Sequence, residues 1–329
     1  MKLAFPQITR RRLLLAGAAV GALPAGLAHA QPEGVTRFIV PVPAGGGMDS
    51  TARLIAEGVR DVIGTVIVEN KPGGALRIAL QYVKAAAPDG KTLLYTTLSP
   101  LTIYPHVYQK LGYDAVSDLI PVAPVVSYDF ALAVPGSSPI SSLAEYLEAV
   151  KRNPEKMGLY AVPAAGTSLH FLGVALAQAA NVPLTVVPYK GSAPAMQDLV
   201  GGQVPACINV LGEFLQYRAA GKVKILATAG AQRSTLTPDV PTFSELGFKS
   251  LVMNEQFGLF APAKTPPATV ARINTAVSDA MRKPEMQKRV AEMGYGTLIL
   301  TPAAFEEKVR KDRDLWRPLV KASGFSLDE

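Results

Sequence analysis

The segment Val40-Pro41-Val42-Pro43-Ala44-Gly45-Gly46-Gly47-Met48-Asp49-Ser50-Thr51-Ala52-Arg53 limits the possible folds more than any other. A short apolar run passes through three glycines straight into helix-forming residues. That junction is half of a strand–helix–strand unit, and the same rhythm continues along the chain. Strand-length apolar runs fall at 38–42, 66–68, 92–96, 130–134, 159–162, 184–187, 206–209 and 224–228. Turn residues separate them, usually with a helical stretch such as 49–62 or 76–86. Continuous rather than alternating apolar runs belong to strands covered on both faces, so the chain reads as α/β with mostly parallel, helix-flanked sheets. After a further apolar strand and Pro262, residues 267–322 read as helices with one charged, solvated face.

The first thirty residues are a different kind of sequence. Lys2, Arg10, Arg11 and Arg12 precede an uncharged run over 13–27, and Ala28-His29-Ala30 offers small residues at a cleavage site. This is a secretory leader, too short and too rich in Gly and Ala for a membrane span. Thr9-Arg10-Arg11-Arg12-Leu13-Leu14 fits the twin-arginine pattern. The expectation is export to the periplasm with cleavage near Ala30. The leader also accounts for most of the formal +7: without its four basic residues, 29 basic face 26 acidic ones, a net +3. That is too mild for a nucleic-acid surface. The one cysteine, Cys207, sits in apolar surroundings and reads as a buried small hydrophobe. About 300 residues remain, more than one comfortable core, so two lobes are expected.

Three turns could carry chemistry. The glycines at 45–47 let backbone N–H groups converge where a helix begins, which suits a carboxylate or phosphate; the plainer reading is a glycine turn with Asp49 or Ser50 capping the helix. There is no Gly-Lys-Ser/Thr, and the glycines are not spaced as in dinucleotide sites. The second turn, Val162-Pro163-Ala164-Ala165-Gly166-Thr167-Ser168-Leu169-His170, places hydroxyls at another helix start. It misses the nucleophile elbow because His170 stands where the last glycine is needed. His170 reads as a packed helix-face histidine or a ligand contact. In the third, Tyr189 and Lys190 end a strand as an aromatic wall and a cation, or as ordinary surface residues. No His, Cys or carboxylate cluster has metal-ligand spacing, and no acid–base pair stands out. A binder is expected, not an enzyme, with neither metal nor cofactor.

Together these segments resemble the Bug-type substrate-binding proteins of tripartite tricarboxylate transport systems, over residues 37–324. The first glycine loop matches P-x-P-x-G-G-x-x-D-x-x-A-R. Val68-Glu69-Asn70-Lys71-Pro72-Gly73 matches V-x-N-R/K-P-G, and Ala86-Ala87-Pro88-Asp89-Gly90-Lys91-Thr92-Leu93 matches A-x-P-D-G-x-T-L. Gly166 to His170, Val187-Pro188-Tyr189-Lys190-Gly191, Gly201-Gly202-Gln203-Val204, Asp239-Val240-Pro241-Thr242 and Gly258-Leu259-Phe260-Ala261-Pro262 follow in order. The resemblance implies a two-lobed type II periplasmic-binding-protein fold with a closing cleft. It implies that backbone N–H groups around Ala44 to Asp49 and around Gly166 to His170 hold a small carboxylate, either a di- or tricarboxylate or an aromatic acid. It further implies a monomer that delivers this ligand to membrane permease subunits. Three departures stand out: Met48 replaces a hydroxyl residue, Ala75, Leu76, Arg77 and Ala79 follow Pro72-Gly73 in place of glycines and an Asn, and Asn209 lacks a neighbouring Asp. The last points away from an amino-acid ligand, whose ammonium would want a carboxylate.

The expected ligand-binding set is Ala44, Gly45, Gly46, Gly47, Met48, Asp49, Ser99, Ala165, Gly166, Thr167, Ser168, His170, Tyr189, Lys190 and Asn209. Expected boundaries are a signal peptide over 1–30, the first part of one lobe over 31–133, a second lobe over 134–256, and a return to the first lobe over 257–329, with hinges near 131–134 and 256–259. Two alternatives remain: an exported hydrolase using Ser168, and a loaded receptor that docks on a sensor.

Overall fold

Aliphatic runs become strands wherever both faces can be covered, and the computed structural model shows this over residues 35–327; the expected leader lies outside the described residues. The order is β1 (Thr36–Val40), α1 (Gly47–Ile63), β2 (Val66–Asn70), α2 (Arg77–Lys84), β3 (Thr92–Thr97), α3 (Ser99–Thr102), α4 (Tyr104–Val107) and β4 (Leu119–Pro135). Then come α5 (Leu143–Arg152), α6 (Pro154–Met157), β5 (Leu159–Val162), α7 (Ser168–Ala180), β6 (Thr185–Pro188), α8 (Ser192–Val200), β7 (Ala206–Val210), α9 (Leu211–Ala219) and β8 (Val223–Thr228). The chain ends with β9 (Asn254–Pro262), α10 (Pro267–Arg282), α11 (Pro284–Glu292), β10 (Gly296–Thr297) and α12 (Pro302–Ser323).

The sheet is mixed. Strands β2, β1 and β3 run parallel, as do β6, β5 and β7. Between these two groups lie β9 and β4, antiparallel to their neighbours, giving the order β2-β1-β3-β9-β4-β7-β5-β6. Strand β4 belongs to both groups. Its residues 119–129 pair with β9, while 130–135 pair with β7 and β8. Its first half escaped the apolar pattern because Pro121 and Pro124 interrupt the run, and the register with β9 shifts at both places. The expected lobe boundaries after residues 133 and 256 fall inside β4 and β9.

Helices cover both faces. On α1, Leu54, Ile55, Val59 and Ile63 are buried, each contributing about 1.5–3 kcal/mol by leaving water. A hydrophobic cluster runs from Phe38 and Tyr95 through Phe130 to Tyr160 and Ile208, so the core spans both strand groups. Cys207 is fully buried, and burial pushes its thiol pKa up. Among the described residues, no helix is long and apolar enough to cross a membrane.

Candidate functional site

Strands β1 and β5 each deliver a turn and then a helix, and the two turns are built alike. In the first, Gly45 takes φ +99°, Gly46 is the extended N-cap and α1 starts at Gly47. In the second, Gly166 takes φ +71°, Thr167 is the extended N-cap and α7 starts at Ser168. Glycine is needed at 45 and 166 because a side chain there would be strained. In both turns the third helical residue reaches back: Gly45 N–H donates to Asp49 Oδ2 at 3.1 Å, and Gly166 N–H donates to His170 Nδ1 at 3.2 Å.

The two helix starts face one cavity of about 60 Å³. At roughly 10–15 Å³ per water on this measure, that holds about four to six waters, the space of a small acid. Gly46, Gly47 and Met48 line it from the first turn, and Thr167 and Ser168 from the second. The start of α8 adds Ser192, Ala193 and Pro194, and the end of β7 adds Asn209. Thr97, Tyr128 and Phe257 close it from the central strands.

Two carboxylates also line this cavity. Glu213, in the first turn of α9, accepts the Gly47 N–H at 2.6 Å. It is partly accessible, and burial raises its pKa despite that bond and the nearby Ser192 hydroxyl. Glu255, on β9, is buried. Its Oε1 accepts from the Thr97 hydroxyl, from Ser99 N–H at 2.8 Å and from Ser99 Oγ at 3.0 Å; its Oε2 accepts from Ser168 Oγ. Burial raises its pKa against these donors. The Ser168 N–H donates to Ser99 Oγ at 3.2 Å. The N–H groups of Gly45, Gly47, Gly166 and Ser168 therefore all have acceptors within the chain.

The remaining expected residues divide by place. Ser99 sits behind the cavity wall through Glu255 and Ser168. Asp49 turns away from the cavity and binds Arg53 (Nη2 to Oδ1 2.9 Å, Nε to Oδ2 3.0 Å) and Asn70 Nδ2 (2.9 Å). Burial alone would raise its pKa, but the bonds from Arg53, Asn70 and Gly45 hold it below the ordinary carboxylate value. His170 is buried against Phe171 and Phe325, and burial lowers its pKa to about 4. Its Nδ1 faces Gly166, so it forms no pair with Ser168. Ala44 and Gly45 are exposed beside the opening. Ala165, Tyr189 and Lys190 line an adjoining crevice of about 420 Å³, which shares Val42, Leu76, Pro163, Ala164 and Gly191 with the cavity. Tyr189 donates to Asp198 at 2.6 Å, and its pKa is pushed up to about 12, first by burial and then by that bond.

Glu213 and Glu255 escaped the sequence reading because neither stands in a local motif. Glu213 looks like one more solvated helix charge and Glu255 like the polar start of a strand; only long-range packing brings them to residues 47 and 99. Their presence removes the ground for disfavouring an amino-acid ligand, since the cavity has carboxylates from elsewhere in the chain. Among the described residues, no group of three or more His, Cys, Asp or Glu could hold a metal.

Residues 51–325 match the model of the family described as "Tripartite tricarboxylate transporter family receptor". The chain belongs to this family. The chain is also 35% identical, over 87% of each chain, to the UPF0065 protein in the gbd 5′ region of Cupriavidus necator. Among solved receptors, the periplasmic binding protein BugD superposes with a TM-score of 0.84 at 32% identity, covering 91% of this chain and 100% of that one. An R. palustris protein with adipate gives 0.86 at 28% identity over the same shares. The family and its structures are solute-binding receptors, not enzymes.

Proposed function

We propose that this receptor is exported to the periplasm, holds a small carboxylate in the cavity between the two strand groups, and hands it to the permease subunits of a tripartite tricarboxylate-type transporter. The observation that carries the reading is Asn209. Its side chain is fully buried, lines the cavity and has a Nδ2 donor with no partner among the described residues. An unpaired buried donor costs about 1–3 kcal/mol, and a ligand oxygen at this point satisfies it. The adipate-bound structure of a relative fits the same ligand class. The lobes at 31–133 with 257–329 and at 134–256 are part of this proposal.

Calorimetry and thermal shift with aliphatic and aromatic carboxylates test the binding role. At least one acid should bind and raise the melting temperature, and binding should weaken in Asn209→Leu. A panel in which no acid binds removes the carboxylate assignment. For the export step, the N-terminus of the protein recovered from the periplasmic fraction should begin near Gln31. Recovery of the intact leader in the cytoplasm overturns that step.

A further inference from the structure

The cavity is proposed to receive an anion, yet its charged lining consists of two carboxylates. Among the described residues no Lys, Arg or His lines it; the cation next door, Lys190, is exposed on the adjoining crevice. A plain dicarboxylate entering this space would set two carboxylates beside two more, so that either charges crowd together or protons must be taken up, with the Gly47 and Ser99 N–H groups already held by Glu213 and Glu255. Like charges in a water-poor site repel strongly, and a buried charge with no opposite partner is among the costlier arrangements in a protein.

The remaining bonding capacity is asymmetric in a useful way. Oε1 of Glu255 accepts three bonds, whereas Oε2 accepts from Ser168 alone. Oε2, with one donor against three on Oε1, therefore has accepting capacity to spare. Glu213 is partly accessible at the cavity wall. Opposite in character, Asn209 Nδ2 is a buried donor that lacks an acceptor, and the Asn209 Oδ1 is already engaged by Ser192 Oγ at 3.2 Å and by Val210 N–H at 2.8 Å. Asn209 therefore calls for a ligand acceptor, and the glutamates call for a ligand donor with positive charge.

We infer that Glu213 and Glu255 select a ligand that carries a protonated nitrogen beside its carboxylate, an amino-carboxylate, over a plain acid of the same carbon skeleton. The ligand's carboxylate takes the Asn209 amide and its ammonium takes the glutamate oxygens. The inference rests on the receptor reading above and narrows it.

The test is titration calorimetry at neutral pH on matched pairs: succinate with aspartate, glutarate with glutamate, and 3-phenylpropionate with phenylalanine. In at least one pair the amino member should bind about tenfold tighter or better, which is about 1.4 kcal/mol, because a charge-assisted hydrogen bond is stronger than a neutral one. Glu255→Gln and Glu213→Gln should each shrink that ratio, and the wild-type ratio stands as the readout if either variant fails to fold. Plain acids that bind as tightly as their amino partners overturn the inference and leave the receptor reading intact. If no acid of either kind binds, the receptor reading falls and the inference with it.

Discussion

The turn before α1 and the turn before α7 have one backbone plan and two chemistries. Each places glycine at positive φ, an extended N-cap, and a third helical residue that accepts the glycine N–H. In the first turn that acceptor is Asp49, ionised and tied to Arg53 and Asn70 near the surface. In the second it is His170, neutral and packed among aromatic rings. The plan needs only an acceptor at the right distance; the environment decides which. Where an arginine and water are at hand, a carboxylate serves. Where the surroundings are apolar, an imidazole accepts the bond without the cost of a buried charge.

The two acceptors should therefore fail differently. His170→Ala removes a buried ring and leaves Gly166 N–H unsatisfied, so a loss of about 4 kcal/mol is expected. Asp49→Ala leaves Arg53, which is half exposed, to be hydrated, and about 2 kcal/mol is expected. Urea unfolding of both variants gives the order; equal losses would show that the two staples carry the same weight.

Acid separates them on a smaller scale. The folded pKa of His170, about 4, lies below its ordinary value of 6.5. Protons therefore favour the unfolded chain, and stability present above pH 6.5 is lost as pH falls towards 4. Its full size is at most about 3.4 kcal/mol. Asp49, also depressed, keeps its contribution down to its ordinary value of 3.8 and loses it below. In a series of unfolding curves across pH, His170→Gln should flatten most of the slope between 6.5 and 4. The slope that remains should combine His106, whose pKa is lowered mainly by burial, with an opposite contribution from Glu213 and Glu255, whose raised pKa values favour the fold as pH falls. An unchanged slope in His170→Gln would place the titrating group elsewhere.

What the sequence discloses follows from how far apart the interacting residues are. The turns at 45–47 and 166–168 are legible because strand, glycine and helix are contiguous, and Asn209 is legible as a polar residue ending an apolar strand. Cys207 reads as buried from its flanks. The first half of β4 is hidden because Pro121 and Pro124 break the pattern by which a strand is known, and pairing with β9 and β10 holds it extended. Glu213 meets Gly47 across 166 positions and Glu255 meets Ser99 across 156. No local spacing encodes such meetings. The backbone of the site was thus readable and its electrostatics were not, which is why an anion-shaped pair of loops proved to hold carboxylates already.

Strand β4 also sets an order of events for the growing chain. Its 17 residues, about 55 Å when extended, pair over 119–129 with a strand that is made late, at 254–262. The same late strand closes the edge of β3. Until residue 254 exists, β3 and β4 both present open edges to any other extended chain, and the first strand group cannot finish before the second is synthesised. Folding here is therefore not vectorial. The N-terminal third waits for the far side of the protein, so truncated products of this gene would be sticky fragments and not half-receptors.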